Sequence, residues 1–102
     1  MTILHKVRKL FSDRSKGTQH VYARSVDGNS VAPSNPGAVC WCLTGAILKI
    51  SNSLFEDEVA EEQLRSLLKG NITTWNDSHT YEEVIALLDK VIALERVENE
   101  TI

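Results

Sequence analysis

Between Ala38 and Ile50 the chain reads AVCWCLTGAILKI, and only Thr44 and Lys49 in it are polar. A helix that is apolar nearly all round has no face to give to water, so its neighbours must wrap it. Asn35 and Pro36 stand just before the run, a capping residue followed by a proline suited to the first helical position. The run therefore predicts a central helix from Pro36 to about Ile50. Gly45 lies in its middle and costs about 1 kcal/mol of helix propensity against alanine. The compensation expected is close approach by another backbone or by an aromatic ring.

The same stretch carries both cysteines, Cys40 and Cys42. On a helix, residues two apart point about 200° from each other. In that geometry the two thiols cannot hold one ion or form a disulfide. His5, His20 and His79 show no ligand spacing, so neither a metal nor any other cofactor is expected. A nucleophilic thiol is a separate matter, because a helix N-terminus lowers a cysteine pKa. Cys40 or Cys42 with His79 and Asp77 would make a cysteine-dependent hydrolase or transferase. Against this stand the absence of a strand to carry the histidine and of a recognisable oxyanion loop. The preferred reading is a buried, chemically quiet helix.

The elements around it have clear signatures. Residues 2–13 place Leu4, Val7 and Phe11 on one stripe and basic residues on the other, a basic N-terminal helix. Asp27-Gly28 sits between Val21–Ala23 and Val31–Ala32, which predicts a small β-hairpin or ordered loop within residues 20–33. Ser53 and Glu56 have capping-box spacing at the start of a third helix that stops at Gly70-Asn71. Thr80 and Glu83 repeat the pattern before a last helix with Val84, Leu87, Leu88, Val91 and Leu94 as its buried stripe. Residues 73–84 are expected to join these two helices. In that joint Trp75 plugs the core, and Asn76 or Asp77 bonds nearby backbone. A polar pocket lined by Tyr22, Arg24, Trp75, Asn76 and Asp77 is the functional alternative, and His79 is expected to be exposed. Residues 98–102 read as a frayed tail. The fold expected is one mainly α domain of 102 residues, a compact bundle of about four helices around a buried one.

Charge is segregated along the chain. Residues 1–24 hold six cations against Asp13 alone, whereas residues 56–100 hold twelve acids against four cations. Opposite helix faces that attract one another account for this simply. The sharper reading is an acidic contact surface made by Glu56, Asp57, Glu58, Glu61 and Glu62. No apolar stretch approaches the ~20 residues of a membrane span, and the charged start does not resemble a secretory signal. A cytoplasmic protein is expected. There is no phosphate-binding loop or hydrolase motif, and the basic residues form no aromatic-studded nucleic-acid platform.

Several short pieces occur in order: Tyr22-Ala23-Arg24, Asp27-Gly28, Pro33 to Pro36, Trp41-Cys42-Leu43-Thr44-Gly45-Ala46, Trp75-Asn76-Asp77 and Thr80-Tyr81-Glu82-Glu83-Val84. Together, over residues 17–97, they resemble a family of small bacterial and phage proteins of unknown function. The resemblance implies no activity. It implies a phage or mobile-element origin, and hence the leading expectation: a non-catalytic accessory factor that binds a protein partner through the acidic surface. An inhibitor of a host defence protein, such as a nucleic-acid-processing complex in the host cytoplasm, is one form of it. The cysteine enzyme is the first alternative. A homodimeric structural module, joined through apolar parts of the first helix, is the second.

Overall fold

The computed structural model describes residues 2–100, with side chains through Glu95. Helix α1 spans Ile3–Leu10, capped by Thr2, whose hydroxyl accepts from the His5 N–H at 3.3 Å. Leu4, Val7 and Phe11 are buried, as the stripe predicts. The helix is shorter than the sequence suggests. Asp13 does not continue it but caps a 3₁₀ turn at Arg14–Lys16.

The largest difference from the sequence reading falls on the apolar run. Residues 38–41 are not helical. They form strand β2 (Ala38–Trp41), antiparallel to β1 (Ala23–Ser25), with Ala23 opposite Trp41 and Arg24 opposite Cys40. Helix α2 begins only at Leu43 and ends at Ile50. The pairing with β1 sets this, and local bonds on both sides agree with it. Asn35 spends its side chain on a turn, accepting from the Gly37 N–H at 2.7 Å, so no helix starts at Pro36. Cys42 is the true cap of α2, its Sγ accepting from the Gly45 N–H at 3.3 Å. The helical spacing argument for the two thiols therefore falls away; both are free.

The Asp27-Gly28 turn exists, with Gly28 at φ 84°, but it closes a tighter loop than the hairpin expected. Val31 N–H reaches the Ala23 carbonyl at 3.0 Å, while the principal partner of β1 is the later strand β2. The Gly45 expectation holds. A Cβ there would stand 1.9 Å from the Tyr22 carbonyl oxygen, so the backbone just before β1 lies directly on α2.

Helix α3 (Leu54–Leu68) starts at Ser53, whose hydroxyl accepts from the Glu56 N–H. It stops at Lys69 in the left-handed region. Residues 72–78 are a helix, α4 (Ile72–Ser78), rather than a linker, so the described residues form five helices. Helix α5 (Tyr81–Glu100) opens on a complete capping box: Thr80 N–H donates to Glu83 Oε1, and Glu83 N–H donates to Thr80 Oγ1. Its backbone continues past the point where the sequence suggests fraying, and residues 101–102 lie outside the described residues.

Leu43, Ala46 and Ile47 on α2 are fully buried, with Leu4, Leu64 and Leu88 from α1, α3 and α5 around them. The protein is mainly α with a two-stranded ribbon, and α2 is its centre. No helix among the described residues is long and apolar enough to cross a membrane.

Candidate functional site

The residues that carry the resemblance converge on one hydrogen-bonded clasp. Asn76, buried on α4, accepts from the Leu43 N–H through Oδ1 at 3.2 Å and donates to the Thr18 carbonyl through Nδ2 at 3.1 Å. It thereby satisfies the first free N–H of α2 from a helix far along the chain. Asp77 holds the next loop residue, accepting from the His20 N–H at 2.7 Å, where His20 sits at φ 73°. Arg24 donates to Thr18 Oγ1, the Gln19 carbonyl and the Gly28 carbonyl, all neutral acceptors. Trp41 donates its Nε1–H to the Pro33 carbonyl at 3.0 Å. These are the bonds of a joint that fastens residues 17–33 to α2 and α4.

Beside the clasp lies an open cleft of about 780 Å³, lined by Arg24, Trp41, Asn76, Asp77, His79 and Tyr81 among others. Of the five pocket residues expected from sequence, Arg24, Asn76 and Asp77 line it. Tyr22 does not: it faces a separate hollow of about 350 Å³ with Cys42, His20 and Asp77. Trp75 packs against the core, its ring stacked on His79 at 3.9 Å. His79 is half-buried rather than exposed. Its Nδ1 lies 2.6 Å from the Trp75 carbonyl, which can only accept, so Nδ1 carries the proton.

The catalytic grouping of Cys40 or Cys42 with His79 and Asp77 is not what these bonds build. The histidine beside the Asp77 carboxylate is His20, at 3.6 Å, not His79. Cys42 is buried, and burial pushes its thiol pKa up, against the opposing pull of the Gly45 N–H. A thiol of that kind is a poor nucleophile at neutral pH. Cys40 is half-buried on β2. Among the described residues, no three His, Cys, Asp or Glu side chains gather as a metal site.

The charge segregation is resolved in a particular way. Arg8 reaches Asp89 at 2.8 Å, and Arg14 pairs with Glu82, so the basic N-terminal segment docks on α5. The acids of α3 receive none of these cations. The five acids do not form one outward surface, however. Asp57 is buried, with Oδ1 lacking a partner, and Glu61 is partly covered beside it. Burial first, and then the neighbouring Asp57, raise the Glu61 pKa. Glu56 accepts from the Asn52 N–H at the helix start. Glu58 and Glu62 face water, and Glu62 pairs with Arg65 of its own helix.

What the acidic residues frame was not expected from the sequence. Leu54 and Phe55, in the first turn of α3, are 81% and 75% exposed, and Val59 is 44% exposed. At helical spacing Glu58 follows Leu54 by four, Val59 follows Phe55 by four, and Glu62 follows Glu58 by four. The outer side of α3 is thus an apolar and acidic stripe. The one sequence signal available was two large apolar residues placed directly after the cap Ser53. By contrast α1 has no apolar face to spare, since Ile3, Leu4, Val7, Leu10 and Phe11 all pack on the core.

The sequence profile of a family of unknown function, DUF6197, matches residues 1–94. The chain belongs to the DUF6197 family. The match takes in α1, which the motif set beginning at residue 17 did not reach. No curated protein and no solved structure matches this DUF6197 member.

Proposed function

We propose that this DUF6197 protein is a non-catalytic factor that binds a protein partner through the outer stripe of α3. The observation that carries the reading is the exposure of Leu54 and Phe55 together on an ordered helix. Single exposed apolar residues are ordinary, but two adjacent large ones with Val59 below them make a patch of the kind that marks interaction sites. Burying a leucine or phenylalanine side chain fully contributes about 1.5–3 kcal/mol. Glu58 and Glu62 on the same stripe favour a partner with basic residues around an apolar groove, and they set approach and specificity more than affinity. A host protein whose basic surface handles nucleic acid is one target of that character. Covering such a surface would make the protein an inhibitor encoded by a phage or mobile element.

The test uses immobilised protein and host lysate, with retained proteins quantified by mass spectrometry. Wild type is compared with the Leu54→Asp, Phe55→Asp double variant and with Glu58→Lys, Glu62→Lys. All four positions are exposed, so the variants fold. A protein retained by wild type and lost by both variants supports the proposal. Retention indifferent to both variants, or no protein specific to wild type, refutes it.

A further inference from the structure

Next to that stripe, on the side of α3 turned toward α1 and α5, lies a small cavity of about 220 Å³. Its walls are Thr2 and Ile3 of the α1 start, Glu56, Val59, Ala60 and Gln63 of α3, and Glu95 of α5. Pockets for drug-sized ligands run ~300–1,000 Å³, so this one is scaled to a single side chain.

Its chemistry is lopsided. Glu95 is only 7% exposed. Its Oε2 accepts from the Thr2 hydroxyl at 3.0 Å and lies 3.5 Å from His5 Nδ1. Its Oε1 is buried and has no hydrogen-bond partner. A second carboxylate, Glu56, stands on another wall. Among the described residues, no lysine or arginine comes within 4.0 Å of either glutamate. A buried carboxylate oxygen left unbonded is costly, and folded proteins rarely leave one so. Three of the other walls, Ile3, Val59 and Ala60, are apolar and suit a methylene stem, and the Gln63 amide completes the lining.

We infer that this cavity is a receptor for an arginine side chain of the partner, inserted between α1, α3 and α5. The guanidinium brings five N–H donors and a permanent charge, which answer the free Glu95 oxygen and Glu56 together. The stem covers Val59, which belongs to the exposed stripe as well, so cavity and stripe form one continuous surface. The inference rests on the reading of α3 as the contact face, and it names the anchor residue that face takes.

The probe is N-acetyl-L-arginine amide, titrated into the full chain and followed by ¹H–¹⁵N NMR. N-acetyl-citrulline amide, neutral and of the same shape, is the control. Saturable shifts at Thr2, Ile3, Val59 and Glu95 with arginine alone are expected, weakened at least five-fold in Glu95→Gln. Glu95→Gln keeps the side-chain shape and removes the charge. Leu54→Asp with Phe55→Asp leaves the arginine shifts in place, because neither residue lines the cavity. Absent shifts, equal shifts with citrulline, or unchanged affinity in Glu95→Gln overturn the inference. If the cavity fails in this way while the Leu54 and Phe55 variant still loses a captured partner, the contact face stands without its arginine anchor. If arginine binds but no captured protein depends on Leu54 and Phe55, the cavity stands and the contact face falls.

Discussion

Gly45→Ala is the substitution on which helix propensity and tertiary packing disagree in sign. Gly45 sits within α2 at ordinary helical φ, so alanine would raise the local helix propensity by about 1 kcal/mol. Packing opposes this. The added Cβ would stand 1.9 Å from the Tyr22 carbonyl oxygen, 2.8 Å from its carbon and 3.2 Å from its Cα. All three are main-chain atoms and cannot rotate away. The Tyr22 backbone must lift from α2, which also strains the Cys42 N–H bond to that same carbonyl, 3.2 Å in the native state. Overpacking costs about 1–3 kcal/mol and occasionally more, and the lost bond adds about 0.5–1.5 kcal/mol. With so short a contact the upper part of each range applies. After the propensity gain is subtracted, the net loss is about 2–3 kcal/mol. That is a large part of the ~5–15 kcal/mol that holds such a domain. At ~4–8 °C per kcal/mol, the melting temperature falls by ~10–20 °C. Thermal and urea unfolding followed by circular dichroism measure it, with Gly70→Ala as control, since a Cβ at Gly70 meets nothing within 4 Å. A Gly45→Ala protein as stable as wild type, or more stable, would refute the packing of the Tyr22 backbone on α2.

Two further outcomes follow from the titrating groups. Glu61 keeps its proton to higher pH in the folded chain than in the unfolded one, because it is partly buried beside Asp57. Its stabilising share is therefore complete at acid pH and is lost as pH rises through the raised folded value. Glu61→Gln should accordingly be more stable than wild type at pH 8, with the difference closing toward pH 4; urea midpoints at both values decide, and a difference that grows on acidification would contradict the assignment. For the thiols, Cys42 is buried with a raised pKa whereas Cys40 is half-buried. Alkylation at pH 8 with mass-spectrometric mapping should label Cys40 first and Cys42 only on unfolding. A native Cys42 reacting as fast as a free cysteine in solution would reopen the hydrolase reading.

The clasp explains why several polar motif residues need no catalytic role. Asn76, Asp77 and Arg24 spend their bonds on the backbone of α2, of residues 18–20 and of the Gly28 turn. Two elements that cannot bury themselves alone, a ribbon of seven strand residues and the seven-residue α4, are held by these bonds. The arginine and the asparagine therefore serve the fold directly.

Local chemistry was enough for α1, α3 and α5. Thr80 with Glu83 and Ser53 with Glu56 announce helix starts within four residues, and Leu4, Val7 and Phe11 mark a buried stripe by spacing alone. The close approach at Gly45 was also legible, because a glycine inside an apolar helix wants a reason. Tertiary structure decided the rest. A short apolar run such as Ala38–Trp41 reads equally as strand or helix, and what settles it is a ladder partner at Ala23–Ser25. The start of α2 at Leu43 depends on Asn76, thirty-three residues away. Which acids of α3 face water depends on how that helix is turned against the core, which buries Asp57 and leaves Leu54 and Phe55 outside. Bonds that close within one helical turn are written in neighbouring residues. Bonds between distant segments exist only once the chain has brought those segments together.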